Sequence, residues 1–147
     1  MEAIVDTNVL VYETIEDSMY HEEVVDRLER IDVLYLPTNV MIEFILVMKK
    51  LGLTEAFIVR KALEILREEK VKLTSIRDVD FREALKMIRQ ERVDIKRIND
   101  KLILAFSKRS RVPIYTYDRQ LKTQAQTLGL KVFQLNKPKD PSTPKEN

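Results

Sequence analysis

In Ile4-Val5-Asp6-Thr7-Asn8-Val9-Leu10 a short apolar strand ends on a carboxylate and gives way to a turn or short helix. Outward from this run, strands and helices take turns. Residues 18–30 predict a helix, with Ser18 as its cap and Val24, Val25, Leu28 and Ile31 as its apolar stripe. Residues 33–36 read as a strand closed by Pro37, followed by a helix over 38–50 that Thr38 caps and Gly52 ends. Thr54 caps a further helix over 54–69 with Phe57, Ile58, Ala62, Ile65 and Leu66 inward. A strand over 71–76 precedes a helix over 78–91 whose inner face is Phe81, Ala84, Leu85 and Ile88. A helix over 98–109, a strand over 113–117, a helix over 118–128 and a last strand over 130–135 complete the pattern. Such alternation predicts an α/β fold with a parallel sheet covered on both faces.

The 147 residues suit one domain, 44% hydrophobic and 34% charged. Cysteine is absent, which excludes a disulfide framework, a thiol nucleophile, a zinc ribbon and an iron–sulfur site. The single histidine is His21, so a metal would be held by oxygen ligands, the chemistry of Mg²⁺ or Mn²⁺. Gly52 and Gly129 are the only glycines, too few for a glycine-rich phosphate loop. No stretch approaches the roughly 20 apolar residues of a membrane helix. The opening residues lack the basic start and apolar run of a secretion signal, so a cytoplasmic protein with no membrane partner is expected. Net charge is only +2, but unevenly spread: residues 1–32 hold ten acids and two bases, residues 107–131 six bases and one acid. Either a basic binding face or solvated helix faces of different sign accounts for this. From residue 137 the composition shifts to Lys, Pro, Asp, Ser and Thr, with Pro138, Pro141 and Pro144, so the domain is expected to span 1–136 and the tail 137–147 to be disordered.

Four acids stand out. Asp6 ends the first strand, where open α/β sheets place their sites, although a turn or cap role is equally natural there. Glu43 lies within Val40-Met41-Ile42-Glu43-Phe44-Ile45-Leu46-Val47-Met48, apolar nearly all round, so the helix is expected to be buried and its charge paired or metal-bound. Asp100 opens the helix Asn99-Asp100-Lys101-Leu102-Ile103-Leu104-Ala105-Phe106, where the helix dipole alone favours an acid by about 0.3–1 kcal/mol. Asp118 follows Ile114-Tyr115-Thr116-Tyr117 in the position of a helix cap. Taken together, three lie at strand–helix junctions and the fourth in an apolar helix. Converging carboxylates raise their own pKa values or recruit cations, and divalent ions so held activate water for phosphodiester hydrolysis. Asn8 and Thr116 sit near the same edge to support the ligands.

These motifs, in this order and spacing over residues 1 to about 136, resemble the PIN domain, most of all the VapC-type toxin ribonucleases. The resemblance implies a five-stranded parallel sheet in a three-layer α/β/α sandwich. It implies Mg²⁺ or Mn²⁺ held by Asp6, Glu43, Asp100 and Asp118, with Asn8 and Thr116 in support, and endonucleolytic cleavage of RNA. It implies a homodimer and a cognate antitoxin; the apolar helices at 38–51 and 54–69 are candidate interfaces. Lys101 departs from the small residue usual after the third acid, and bears on access or on a phosphate. Arg97, Lys101, Arg119 and Lys122 are the candidate RNA-backbone contacts, and Tyr12 a candidate for base stacking.

Three other classes compete. An aspartyl-nucleophile phosphatase wants a second Asp two residues after the first, where this chain has Asn8. A phospho-receiver domain leaves Glu43 without a role. A non-catalytic RNA- or protein-binding domain of the same fold keeps the acids without turnover, and metal binding separates it from a nuclease.

Overall fold

The structure is a computed structural model that describes residues 1–133. Strand β1 (Glu2–Val5) buries Ala3, Ile4 and Val5 completely or nearly so, which puts it at the centre of the sheet. It pairs in parallel with β2 (Val33–Pro37) on one side and β4 (Ile114–Tyr115) on the other, Ile4 aligning with both Tyr35 and Ile114. Strand β3 (Val71–Thr74) joins the outer edge of β2, giving the order β3-β2-β1-β4. The helices are α1 (Thr7–Thr14), α2 (His21–Glu29), α3 (Thr38–Lys50), α4 (Glu55–Arg67), α5 (Asp78–Glu91), α6 (Ile98–Ser110) and α7 (Arg119–Thr127). They flank a parallel sheet, as the alternating pattern requires.

The sheet has four full strands among the described residues, against an expected five. Where the fifth was expected, Val132 makes a single parallel bridge to Ile114. It is held by Ile114 N–H donating to Lys131 O at 3.0 Å and Phe133 N–H donating to Ile114 O at 2.7 Å. The remainder of that strand and the tail expected at 137–147 lie outside the described residues.

Several local expectations change. The second helix begins at His21, not at Ser18. The Ser18 hydroxyl instead donates to Tyr12 O and Ile15 O, closing the turn after α1. Thr38 is the first residue of α3 behind a Pro37 cap, whereas Thr54 does cap α4, accepting from Phe57 N–H at 3.2 Å. Helix α3 is not buried all round: Val40, Met41, Phe44 and Met48 face the core, while Ile42 and Leu46 are each 60% exposed. On α4, Ile58, Ala62 and Ile65 are buried but Leu66 is not.

Helix α5 is rotated from its expected face. Asp80, Ala84 and Met87 are buried, while Phe81 and Leu85 face outward. The cause is a pairing across 29 residues: the Arg109 guanidinium on α6 grips Asp80 with both Nε (2.9 Å) and Nη2 (3.0 Å). A buried carboxylate needs such a partner, and Asp80 also accepts from Arg77 N–H at the helix start, 3.1 Å away. Asp80→Ala is therefore expected to destabilise the protein by about 2 kcal/mol, since it strands Arg109 and uncaps α5. Phe81→Ser, by contrast, should stay within about 0.5 kcal/mol. Urea unfolding of the two variants checks this, and the reverse ranking contradicts the rotation.

Candidate active site

The carboxyl ends of β1 and β4 are neighbours, and a hydrogen-bonded junction joins the segments that leave them. Asp6 follows β1 and is buried. Its Oδ1 accepts from Thr7 N–H at 2.7 Å, capping α1. Its Oδ2 accepts from the Thr116 hydroxyl at 2.5 Å and from Asn8 Nδ2 at 3.1 Å. Thr116 follows β4, and its oxygen also accepts from Asp118 N–H at 3.0 Å. Asn8 closes the junction by accepting from Tyr117 N–H at 3.1 Å. Asn8 and Thr116 therefore stand where the sequence pointed, both on Asp6.

The other three acids arrive on separate helices. Asp118 caps α7, its Oδ1 accepting from Gln120 N–H (2.8 Å) and Leu121 N–H (3.1 Å). Glu43 projects from the middle of α3 and is half-buried, and its Oε2 accepts from the Thr7 hydroxyl at 3.1 Å. Asp100 lies in the first turn of α6, where its Oδ2 accepts from Arg97 Nη2 at 2.9 Å. Asn39 on α3 reaches Asn99 on α6 at 3.4 Å, tying together the helices that carry Glu43 and Asp100.

These placements put Asp6, Glu43, Asp100 and Asp118 around one cleft of about 280 Å³, with Thr7, Asn8, Val11, Tyr12 and Val47 completing its walls. A wider hollow of about 460 Å³ runs along α4, between Glu55 and Arg67, but no acids converge there. The carboxylates in the cleft feel one another. Burial raises Asp6 to about 6 despite the bonds from Thr116 and Thr7, and the charges of Asp100 and Glu43 push the same way. Burial also raises Asp100; Arg97 opposes this, while Asp118 and Glu43 add to it.

Among the described residues, no three acidic or imidazole groups are drawn into a ready-made metal site. The four acids are ranged around the cleft instead of closed on a point. Their chemistry nonetheless fits a hard divalent cation. All the donors are carboxylate oxygens, and the like charges are held near each other against burial. Glu43 and Asp100 are anchored through one oxygen each, by side chains that can rotate.

The candidate backbone contacts divide. Arg119 is exposed at the start of α7, and Lys122 one turn on lies over the Tyr117 ring, 5.7 Å from its centre. Arg97 reaches the cleft but is engaged with Asp100. Lys101 is not brought to the group: it is only 1% exposed, and its ammonium binds Glu91 at the end of α5. Thr7 was missed by the sequence reading although it sits inside the quoted run, because a threonine in a helix's first turn carries no distinguishing signal. The Asn39–Asn99 and Arg97–Asp100 contacts were missed too; the latter has the spacing of an ordinary helical ion pair.

The PIN domain family matches residues 3–126 of the chain. No curated protein matches it. Among solved structures, Mycobacterium tuberculosis VapC20, a Sarcin-Ricin loop cleaving toxin, superposes with a TM-score of 0.70 at 16% identity, over 83% of this chain and 94% of that one. VapBC2 from Rickettsia felis, bound to a DNA fragment from its promoter, gives 0.65 at 16% identity over 90% and 98%. A toxin-antitoxin complex from Klebsiella pneumoniae gives 0.57 at 18% identity over 79% and 86%. At these identities the likeness is one of fold.

The raised Asp6 makes a pH prediction. The native state holds its proton more tightly than the unfolded chain, so the stability from this group is present below about pH 4 and is lost as pH rises through about 6. In EDTA, Asp6→Asn is expected to gain on the wild type by about 2 kcal/mol between pH 4 and pH 7. Urea titrations at both pH values check it, and parallel profiles count against the strained carboxylate.

Proposed function

The chain belongs to the PIN domain family, and on that premise we propose that it is a cytoplasmic Mg²⁺- or Mn²⁺-dependent endoribonuclease, the toxin of a toxin-antitoxin pair. The observation that carries this reading is the convergence of Asp6, Glu43, Asp100 and Asp118, from four different elements, on one cleft. A divalent cation bound there supplies a Lewis acid that acidifies water and offsets the charge that gathers on a phosphodiester under attack. The protein's part is to hold the ligands still. Asp6 is fixed through both oxygens by Thr7, Asn8 and Thr116. The backbone amides of α7 occupy Oδ1 of Asp118, leaving its other oxygen for the cleft. The Thr7 hydroxyl ties Glu43 to the same junction.

Recognition of RNA falls to the residues around that cleft. Arg119 and Lys122 follow Asp118 along α7, suited to phosphate oxygens on a strand laid across the carboxylates. Tyr12 forms part of the cleft wall and offers an edge or face to a base. Lys101 has no part, since its ammonium is bound to Glu91. A cognate antitoxin is inferred from the likeness to the toxin-antitoxin complex, and a homodimer from the exposed apolar side chains Ile42 and Leu46 of α3 with Val59 and Leu63 of α4. No helix among the described residues is long and apolar enough to cross a membrane. A second reading, a binding domain without turnover, draws on the spread of the four acids, which leaves no compact ligand set.

End-labelled RNA incubated with Mn²⁺ or Mg²⁺ decides between the two readings. Discrete cuts are expected that vanish in EDTA and fall by at least about 100-fold in Asp100→Asn. Thr116→Val, which removes a ligand's support but no ligand, should lose roughly 10–100-fold. Cleavage unchanged by Asp100→Asn, or absent on every RNA with no Mn²⁺ bound, overturns the nuclease reading.

A further inference from the structure

Of the four cleft carboxylates, only Asp100 makes an ion pair among the described residues, and its partner comes from the same chain. Arg97 ends the 3-10 turn Ile95–Arg97, immediately before α6. Its Nη2 donates to Asp100 Oδ2 at 2.9 Å, and its Nη1 donates to Oε1 of Gln120 on α7. One guanidinium thus bridges the helix that carries Asp100 and the helix that Asp118 caps. Of the other candidate bases, Lys101 is bound to Glu91, Lys122 lies over Tyr117, and Arg119 is exposed at the start of α7 without an ion pair among the described residues.

We propose that Arg97 is the internal counter-ion of the cleft, a positioning residue that occupies Asp100 until a divalent cation displaces it. The inference rests on the divalent-cation reading of the carboxylates. Three features fit a cation that is held but can leave. The pair is only partly shielded, with Arg97 and Asp100 side chains 23% and 25% exposed, so the guanidinium has a route to water. The hold is incomplete, because Arg97 Nε is buried with no hydrogen-bond partner among the described residues. The anchor besides Asp100 is a neutral amide oxygen, a weaker acceptor than a carboxylate. A singly charged guanidinium offsets one of four acids, whereas an ion of charge two accepting several carboxylate oxygens offsets more. The displaced side chain remains at the rim of the cleft.

The test is Mn²⁺ binding by the full-length protein, read by calorimetry without any RNA. Arg97→Gln removes the competing charge and is expected to bind Mn²⁺ roughly 5- to 20-fold tighter than wild type at low salt. Arg97→Lys, which keeps a charge, should restore an affinity near that of wild type. The difference should narrow at high salt, where charge competition is screened. Asp118→Asn, which still caps α7, should weaken binding and so assign it to the cleft. A folded Arg97→Gln with wild-type or weaker affinity overturns the proposal while leaving the metal reading intact. Absence of Mn²⁺ binding in both wild type and Arg97→Gln overturns both together, and binding seen only in the variant supports the proposal in its strongest form. If Arg97→Gln does not fold, Gln120→Ala decides: it removes the second anchor and should tighten Mn²⁺ binding by a smaller factor, and no change overturns the proposal.

Discussion

The structure turns on a charge held at the end of its central strand. Asp6 is carried into the interior because β1 is an inner strand, paired with β2 and β4 and buried from Ala3 to Val5, and its end lies where the helices converge. A carboxylate there is costly unless several donors meet it. Thr7, Asn8 and Thr116 supply them, and in doing so lock the exit of β1 to the exit of β4. Asp118 inherits its place from that lock, since its own amide bonds to the Thr116 oxygen. The junction that satisfies one buried acid is thereby the frame that positions a second.

The donors do not remove the tension. Glu43 and Asp100 face the same cleft, and their charges work with burial to keep Asp6 at about 6. Every bond that fixes the acids also holds like charges near one another, so the site stands at the expense of stability, as functional sites commonly do. Arg97 relieves one of the four acids. The remaining excess of negative charge is what the proposed divalent cation would offset.

Much of this was legible in the sequence because it is local. The apolar run into Asp6, the alternation of strands with helices, and the positions of Asn8, Thr116 and Asp118 at junctions follow from periodicity and turn chemistry over a few residues. What escaped depends on partners far away in the chain. The face that α5 buries is set by Arg109, 29 residues from Asp80, which outweighs Phe81 and Leu85. Lys101 read as a phosphate contact from its place beside Asp100, but the helix turns it inward to Glu91. In α3 the apolar residues run round the whole helix, and hydrophobicity alone did not say that Ile42 and Leu46 face outward. The fifth strand was expected at the right edge, yet among the described residues only Val132 pairs.

The central claim is that the four carboxylates close together on a divalent ion. Crystals of the protein grown with Mn²⁺, measured at a wavelength where manganese scatters anomalously, test it directly. The account predicts an anomalous peak inside the cleft, about 2.0–2.2 Å from oxygens of Asp6 and of at least one of Glu43, Asp100 and Asp118. An empty cleft in crystals that bind manganese elsewhere, with the acids still apart, contradicts it.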